Sequence, residues 1–285
     1  MALKKKQQDF YWNTIRYDLQ EDDEIQAIRL DYAGIKVGPC EKWYELVVVD
    51  LVPLRDEPEG KAKKLIRYEV SHFLLPLDSK NRGGNLDPED VNLEELDDEI
   101  ATAAKKDVDF TAKCLRLFLK KILRPTTKQL LIFTDGGAAD FKNSKFENFL
   151  LQFQTDVNED RNLHDELHIE HHIFAPNHGT GICDAAHAVG VKKLKIWALD
   201  NDKIIEKPEQ VTNVFNSIKN HTAFVVRNDE SVEDVRTLLG IKECYTFRFD
   251  SRAGKVLGYA DCHSKVCKES WFPKSKIARN KKVCQ

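Results

Sequence analysis

The spacing of apolar and polar positions divides the chain into an early block of extended segments and a later block in which helical and extended periods alternate. Ile25 to Tyr32, Trp43 to Leu54 and Leu65 to Leu75 are rich in Val, Ile, Tyr and Phe and are separated by Gly34, Gly38, Pro39, Pro58 and Gly60. β-Branched and aromatic runs bounded by turn formers predict strands, and three in succession with short connections predict an antiparallel meander. Ahead of them, residues 1–20 read as a polar lead-in, because Phe10, Trp12, Ile15 and Tyr17 give only an imperfect apolar stripe.

Residues 78–98 are polar and acidic, with Gly83, Gly84 and Pro88, and read as an exposed insertion. From about Leu93 to Leu123, Ala101, Ala104, Val108, Ala112, Leu115, Leu119 and Ile122 keep helical spacing, and Pro125 ends the helix. A strand is expected at Gln129–Thr134, a helix around Lys145–Phe153, a strand at Ile169–Ala175 and a helix from about Asp184 to Leu194. The order β-β-β-α-β-α-β-α predicts an α/β mixed sheet with helices on both faces, an arrangement that resembles the ribonuclease H-like fold, over residues 21–195. Residues 196–285 are expected to form a C-terminal α+β appendage, with a helix near Val211–Ile218 and strands at Ala223–Val226 and Cys244–Phe249.

Composition narrows the class. The 285 residues are 41% hydrophobic, enough for a sizeable core and too many for a disordered chain. No run approaches the roughly 18 apolar residues of a membrane span, and Met1 to Lys6 has no signal-like apolar stretch. The expectation is a soluble intracellular protein with no membrane partner. Seven cysteines, an odd number scattered along the chain, predict reduced thiols. The net charge of −3 argues against a uniformly basic nucleic-acid binder, but it conceals a basic tail. Between Arg252 and Gln285 stand Arg252, Lys255, Lys265, Lys268, Lys274, Lys276, Arg279, Lys281 and Lys282 against Asp261 and Glu269, so the tail could meet phosphate electrostatically.

Three aspartates are the candidates for chemistry. Asp31 lies near the end of the first strand; Asp135 closes the run Leu130 to Thr134 ahead of Gly136 and Gly137; Asp184 opens a helix after a glycine-spaced loop. Singly, each has an ordinary explanation as a turn or cap residue. The expected fold brings all three to one end of the sheet, where crowded carboxylates need a cation to offset their repulsion. Hard divalent ions with oxygen ligands, Mg²⁺ or Mn²⁺, suit them, and two ions about 3.5–4 Å apart would serve phosphodiester chemistry.

The segments around these residues, Leu30-Asp31-Tyr32-Ala33, Thr134-Asp135-Gly136-Gly137-Ala138-Ala139-Asp140-Phe141-Lys142-Asn143 and Phe174-Ala175-Pro176-Asn177-His178-Gly179-Thr180-Gly181-Ile182-Cys183-Asp184, resemble three blocks of eukaryotic DDE/D-type transposases over about residues 25–195. The resemblance implies metal-dependent DNA strand cleavage or transfer with Asp31, Asp135 and Asp184 as ligands, DNA as partner, possible self-association or a separate DNA-recognition protein, and a nuclear setting. The chain departs from the pattern at Gly34-Ile35 where Glu-Asn is expected, at Thr180 where lysine is expected, and at Ala186-His187 in place of Gly-Gly. Those departures keep open a catalytically inactive, transposase-derived scaffold. A nuclease of the same fold is a further alternative, although Ala33 replaces the second acid that an Asp-x-Glu first strand would carry.

Beside the acids, His178 could transfer a proton or touch a scissile phosphate, and Lys142 and Asn143 could meet phosphate. In the tail, Lys274, Lys276, Arg279, Lys281 and Lys282 are the candidate DNA contacts. Glu170-His171-His172 alternates along a strand, so its histidines face opposite sides and do not form a zinc site. Cys262, His263, Cys267 and Cys284 could surround a zinc ion, although their spacing matches no standard Cys-x₂-Cys pair.

Overall fold

The computed structural model describes residues 2–37, 41–54, 66–75, 108–135, 141–174, 181–201, 204–205, 207–226 and 237–273. The acidic insertion at 78–98, the first part of the helix expected from Leu93, and Cys40 lie outside them. So do His178, Thr180, the tail candidates Lys274, Lys276, Arg279, Lys281 and Lys282, and Cys284.

The three early apolar runs form β1 (Ile25–Val37), β2 (Glu41–Pro53) and β3 (Ile66–Leu75), an antiparallel meander. β1 continues five residues past the expected end because Gly34 sits within the strand, opposite Tyr44, rather than in a loop. α2 (Val108–Ile122) leads to β4 (Gln129–Thr134), which pairs with β1 in parallel, and α3 (Ser144–Glu159) leads to β5 (His168–Ile173), parallel to β4. The first helix is α1 (Ala2–Asn13), carried on by a π-helical turn at Thr14–Asp18 and a last turn at Leu19–Glu21. α4 (Ile182–Asn201) and α5 (Pro208–Asn216) follow β5.

Residues beyond 196 do supply α and β elements, but their strands extend the same sheet instead of forming one of their own. β6 (His221–Val225) runs parallel to β3 at one edge, while β7 (Thr246–Asp250), β8 (Lys255–Tyr259) and β9 (Glu269–Trp271) continue antiparallel from β5 at the other. The resulting nine-stranded mixed sheet has the order β6-β3-β2-β1-β4-β5-β7-β8-β9. β8 and β9 are too short and too interrupted by polar residues to stand out in the sequence; β8 is aligned by its register with β7.

Side-chain alternation sorts the core into two sides. Ile28, Leu30, Leu46, Val48, Phe73, Leu130 and Ile132 pack against α2 and α3. The other face splits into two clusters: Ala27, Val47, Val49, Leu131 and Phe133 meet α1 and the start of α4, while Ile35, Trp43 and Leu74 meet the end of α4 and α5. With both faces covered, β2 reads as an unbroken apolar run from Leu46 to Val49 rather than an alternating one.

The lead-in is an integral part of this second layer. Gln7, Tyr11, Ile15 and Leu19 recur every four residues and are all buried, whereas Trp12 and Tyr17 are 47% and 56% exposed. The stripe was disguised because its first member is polar: Gln7 donates to the Ile173 carbonyl. Tyr11 meets Phe133 edge-on at 5.0 Å, and Lys6 pairs with Asp261 at 3.0 Å.

Candidate active site

Strand register sets the site. Leu30 pairs with Thr134 across the parallel β1–β4 ladder, so Asp31 and Asp135, the next residue of each segment, come to the same end. α4 crosses the face that bears Asp31 and contacts both β1 and β2. Asp184 is the third residue of that helix, and its Oδ2 accepts from the Gly181 amide at 2.6 Å, half of a capping box. Asp31 Oδ1 accepts from the Tyr32 amide at 2.8 Å.

Burial, joined by the charges of Asp184 and Asp135, pushes the Asp31 carboxyl up from 3.8 to about 6, against the Tyr32 hydrogen bond and the Arg29 guanidinium. Asp31 is therefore near enough to both other candidate acids to feel their charge. Cys183, buried beneath α4, reports the same negative field: burial holds its thiol well above the usual range, opposed by Arg29 and reinforced by Asp31, Asp184 and Glu45. Arg29 is the buried counter-charge. Its guanidinium lies 4.9 Å from the Phe174 ring centre and 5.8 Å from that of Tyr11, and a Cβ on Gly181 would come within 2.2 Å of Nη2, so a side chain there would displace the guanidinium.

The donor set, three carboxylates, has the chemistry a hard divalent ion requires. Their arrangement is looser: among the described residues no group of three or more His, Cys, Asp or Glu side chains stands at metal-binding spacing.

Sequence reasoning missed a second feature of this face. Glu45 on β2 is fully buried and ionised, its carboxyl held below the usual range, despite the burial that raises it, by hydrogen bonds from His187 and His72. His187 Nδ1 donates to Glu45 Oε2 at 2.7 Å, His72 Nδ1 bonds Glu45 Oε1, and His72 Nε2 meets His221 Nδ1 at 2.8 Å. The chain thus runs from α4 across β2 and β3 to β6. A sequence signal existed: Glu45 interrupts the apolar alternation Trp43, Val47, Val49, and His72 interrupts Val70, Leu74.

The two other residues considered for phosphate contact have structural partners. Lys142 is buried; its Nζ donates to the Lys242 carbonyl at 2.7 Å and lies 3.5 Å from the centre of the Tyr245 ring, and burial lowers its ammonium to about 8. Asn143 caps α3, accepting from the Phe146 amide at 2.9 Å. Both are committed to the fold. His171 and His172 face opposite sides as alternation requires: His171 bonds Glu147 and Thr134, His172 bonds Thr246 and pairs with Glu170.

Cys262, His263 and Cys267 do not converge. Cys262 Sγ donates to the Lys6 carbonyl, Cys267 Sγ to the Glu269 carbonyl, and His263 meets the Phe10 ring edge-on. The described cysteines Cys114, Cys183, Cys244, Cys262 and Cys267 are free thiols. In the first part of the basic tail, Arg252 pairs with Glu166 and Lys268 with Glu243, which leaves less charge for phosphate there than the sequence suggests. Among the described residues, no helix is long and apolar enough to cross a membrane.

No curated protein and no solved structure matches the chain. A family model matches residues 100–264, more than half of the chain, a span that holds Asp135, Asp184 and His187 but not Asp31 or Glu45. The chain belongs to that family, described as a domain of unknown function (DUF8701).

Proposed function

We propose that the chain is a metal-dependent phosphodiester enzyme of the transposase type, cleaving or transferring DNA strands on a ribonuclease H-like core. The observation that carries this reading is the convergence of Asp31 and Asp135 at one end of the β1–β4 ladder with Asp184 on the helix that crosses it, and the charges of Asp184 and Asp135 both act to raise the Asp31 carboxyl. Three acids spread over more than 150 residues of sequence would have no reason to share one sheet end if each served only as a turn or cap. The strand order β3-β2-β1-β4-β5, with helices on both faces, is the arrangement expected of that core.

In this reading Asp31, Asp135 and Asp184 hold Mg²⁺ or Mn²⁺, which when bound supplies Lewis-acid activation of a water or 3′-hydroxyl and stabilises the leaving oxygen. The chain's own residues prepare the place. Arg29 tempers the charge on Asp31, Gly181 admits the guanidinium, and the Gly181–Asp184 hydrogen bond fixes the start of α4. DNA is the partner proposed, with binding aided by the tail residues Lys274, Lys276, Arg279, Lys281 and Lys282, by self-association or by a separate DNA-recognition protein; the setting is intracellular, in the nucleus.

A second reading, an inactive scaffold derived from a transposase, is favoured by the altered third block, with Thr180 where the transposase pattern has lysine and Ala186-His187 in place of Gly-Gly. Cleavage of a labelled DNA duplex and single strand in Mg²⁺ or Mn²⁺ separates the two. Divalent-dependent cleavage by wild type, abolished in Asp31→Asn, Asp135→Asn and Asp184→Asn, is the expected result. Full activity of Asp135→Asn would remove the catalytic assignment, and an inert wild type that binds no divalent ion would leave the scaffold.

A further inference from the structure

We propose that His187 is a phosphate-contacting residue at this site, oriented by Glu45. The inference rests on the reading of the acid cluster as a phosphodiester site and adds a positive contact to it.

A phosphodiester carries a negative charge, and the end of the sheet that would receive it already bears Asp31, Asp135 and Asp184. Close approach of the anion needs a donor with positive charge near those acids. Lys142 is turned into the protein, towards Lys242. Arg29 is 8% exposed and its guanidinium is wedged among Phe174, Tyr11 and Gly181. His187 differs from both. It stands one helical turn after Asp184 on the same side of α4, feels the charges of Asp184 and Asp31, and keeps 22% of its side chain exposed.

Its hydrogen bonding assigns the roles of the two ring nitrogens. Nδ1 donates to the buried Glu45 carboxylate at 2.7 Å, a bond that favours the imidazolium, and in that charged form Nε2–H is the second donor, available to a ligand. Glu45 cannot swing away to follow the imidazole, because its other oxygen is held by His72, which in turn bonds His221 on the edge strand. A buried carboxylate flanked by two imidazoles is a costly arrangement if only packing is at stake. His72, wholly buried with both nitrogens engaged, accounts for a structural brace; the partly exposed His187, with one nitrogen uncommitted, is more than a brace requires. Glu45 is accordingly a positioning residue, acting through His187.

The test uses the full chain in metal-free buffer with the thymidine dinucleotide TpT as probe, so that phosphate contact is read without cleavage. Long-range ¹H–¹⁵N spectra of the histidine rings follow the His187 signal, assigned by its loss in His187→Gln. TpT is expected to shift the His187 Nε2 resonance, His187→Gln to weaken binding at least tenfold, and Glu45→Gln to weaken it while moving the His187 ring resonances even without TpT. His187→Arg, which restores a positive fork without needing Glu45, is expected to recover binding in the Glu45→Gln background. Thermal melts establish that each variant is folded. TpT binding by folded His187→Gln within twofold of wild type would overturn the proposal, as would a His187 signal unmoved by saturating TpT. Phosphate contact by His187 in a protein that never cleaves DNA would sustain this inference while removing the enzymatic reading, so the two fail separately.

Discussion

Leu30 of β1 and Thr134 of β4 are register partners in a parallel ladder, and that single pairing brings Asp31 and Asp135 side by side although 104 positions separate them. α4 then adds Asp184 from above the same face, and the repulsion among the three is felt at Asp31. Crowding of this kind has measurable consequences.

A divalent ion held by the three acids binds the folded chain and not the unfolded one, so it raises the melting temperature by mass action. Mg²⁺ or Mn²⁺ is expected to stabilise wild type, and Asp31→Asn and Asp184→Asn to lose that response while melting no lower than wild type in metal-free buffer. Asparagine keeps the acceptor for the Tyr32 or Gly181 amide and removes a repelling charge. Identical Mg²⁺ and Mn²⁺ responses in wild type and both variants, followed by differential scanning calorimetry, would dissociate the acids from metal.

Asp50 provides the pH prediction away from the site. It is 7% exposed, and burial raises its carboxyl from 3.8 to about 6, with Glu69, its cross-strand partner on β3, adding to the shift against Gln26 and Arg124. The folded value lies above the unfolded one, so the native state takes up the proton first as pH falls. Its contribution to stability therefore grows between about pH 6 and pH 4, and at pH 7 the ionised, buried group is a liability. Asp50→Asn is expected to stabilise the protein at pH 7 by about 1–3 kcal/mol and to gain nothing at pH 4. Urea unfolding at the two pH values measures this; an equal gain at both would mean the charge is not the cause.

On the same side of the sheet as Asp50, Glu147 of α3 is fully buried with its carboxyl raised by burial, and its Oε1 accepts from His171 Nδ1 at 2.9 Å while His171 Nε2 meets Thr134 Oγ1 at 2.8 Å. Glutamine retains the acceptor and the shape, so Glu147→Gln is expected to cost under about 1 kcal/mol. Glu147→Ala leaves the imidazole Nδ1 unpaired beside a cavity and is expected to cost about 2–4 kcal/mol. Denaturant midpoints that place the two variants together would show that the hydrogen bond carries little.

Gly258 on β8 tests how the C-terminal strands are joined to the sheet. A Cβ there would stand 2.7 Å from Cys244 Sγ and 2.7 Å from the Trp271 ring, both in the core. Gly258→Ala should destabilise by about 1–3 kcal/mol through overpacking. Gly34→Ala, where a Cβ meets nothing within 4 Å, is the matched control and should be close to neutral. Equal stability of the two variants, measured by thermal unfolding, would contradict the packing of β9 over β8.

What the sequence determined by itself was the succession of elements and the residues that look out of place in them. Apolar period alone marks β1 to β5 and the helices between them, because both faces of this sheet are covered and hydrophobic burial imposes the pattern locally. The turn chemistry after Thr134 and before Ile182 marks Asp135 and Asp184. Tertiary structure decided the rest, since those features depend on partners distant in the chain. Gln7 reads as polar until the Ile173 carbonyl accepts its amide, Lys142 reads as a surface cation until Lys242 and Tyr245 enclose it, β6 and β7 gain their places only from the strands they pair with, and β8 and β9 declare themselves only by that pairing. Glu45 is the clearest case: a lone acid in an apolar strand gives no chemistry, and its meaning arises when α4 and β3 deliver His187 and His72 to its two oxygens, because a buried charge is stable only where the fold supplies its hydrogen bonds.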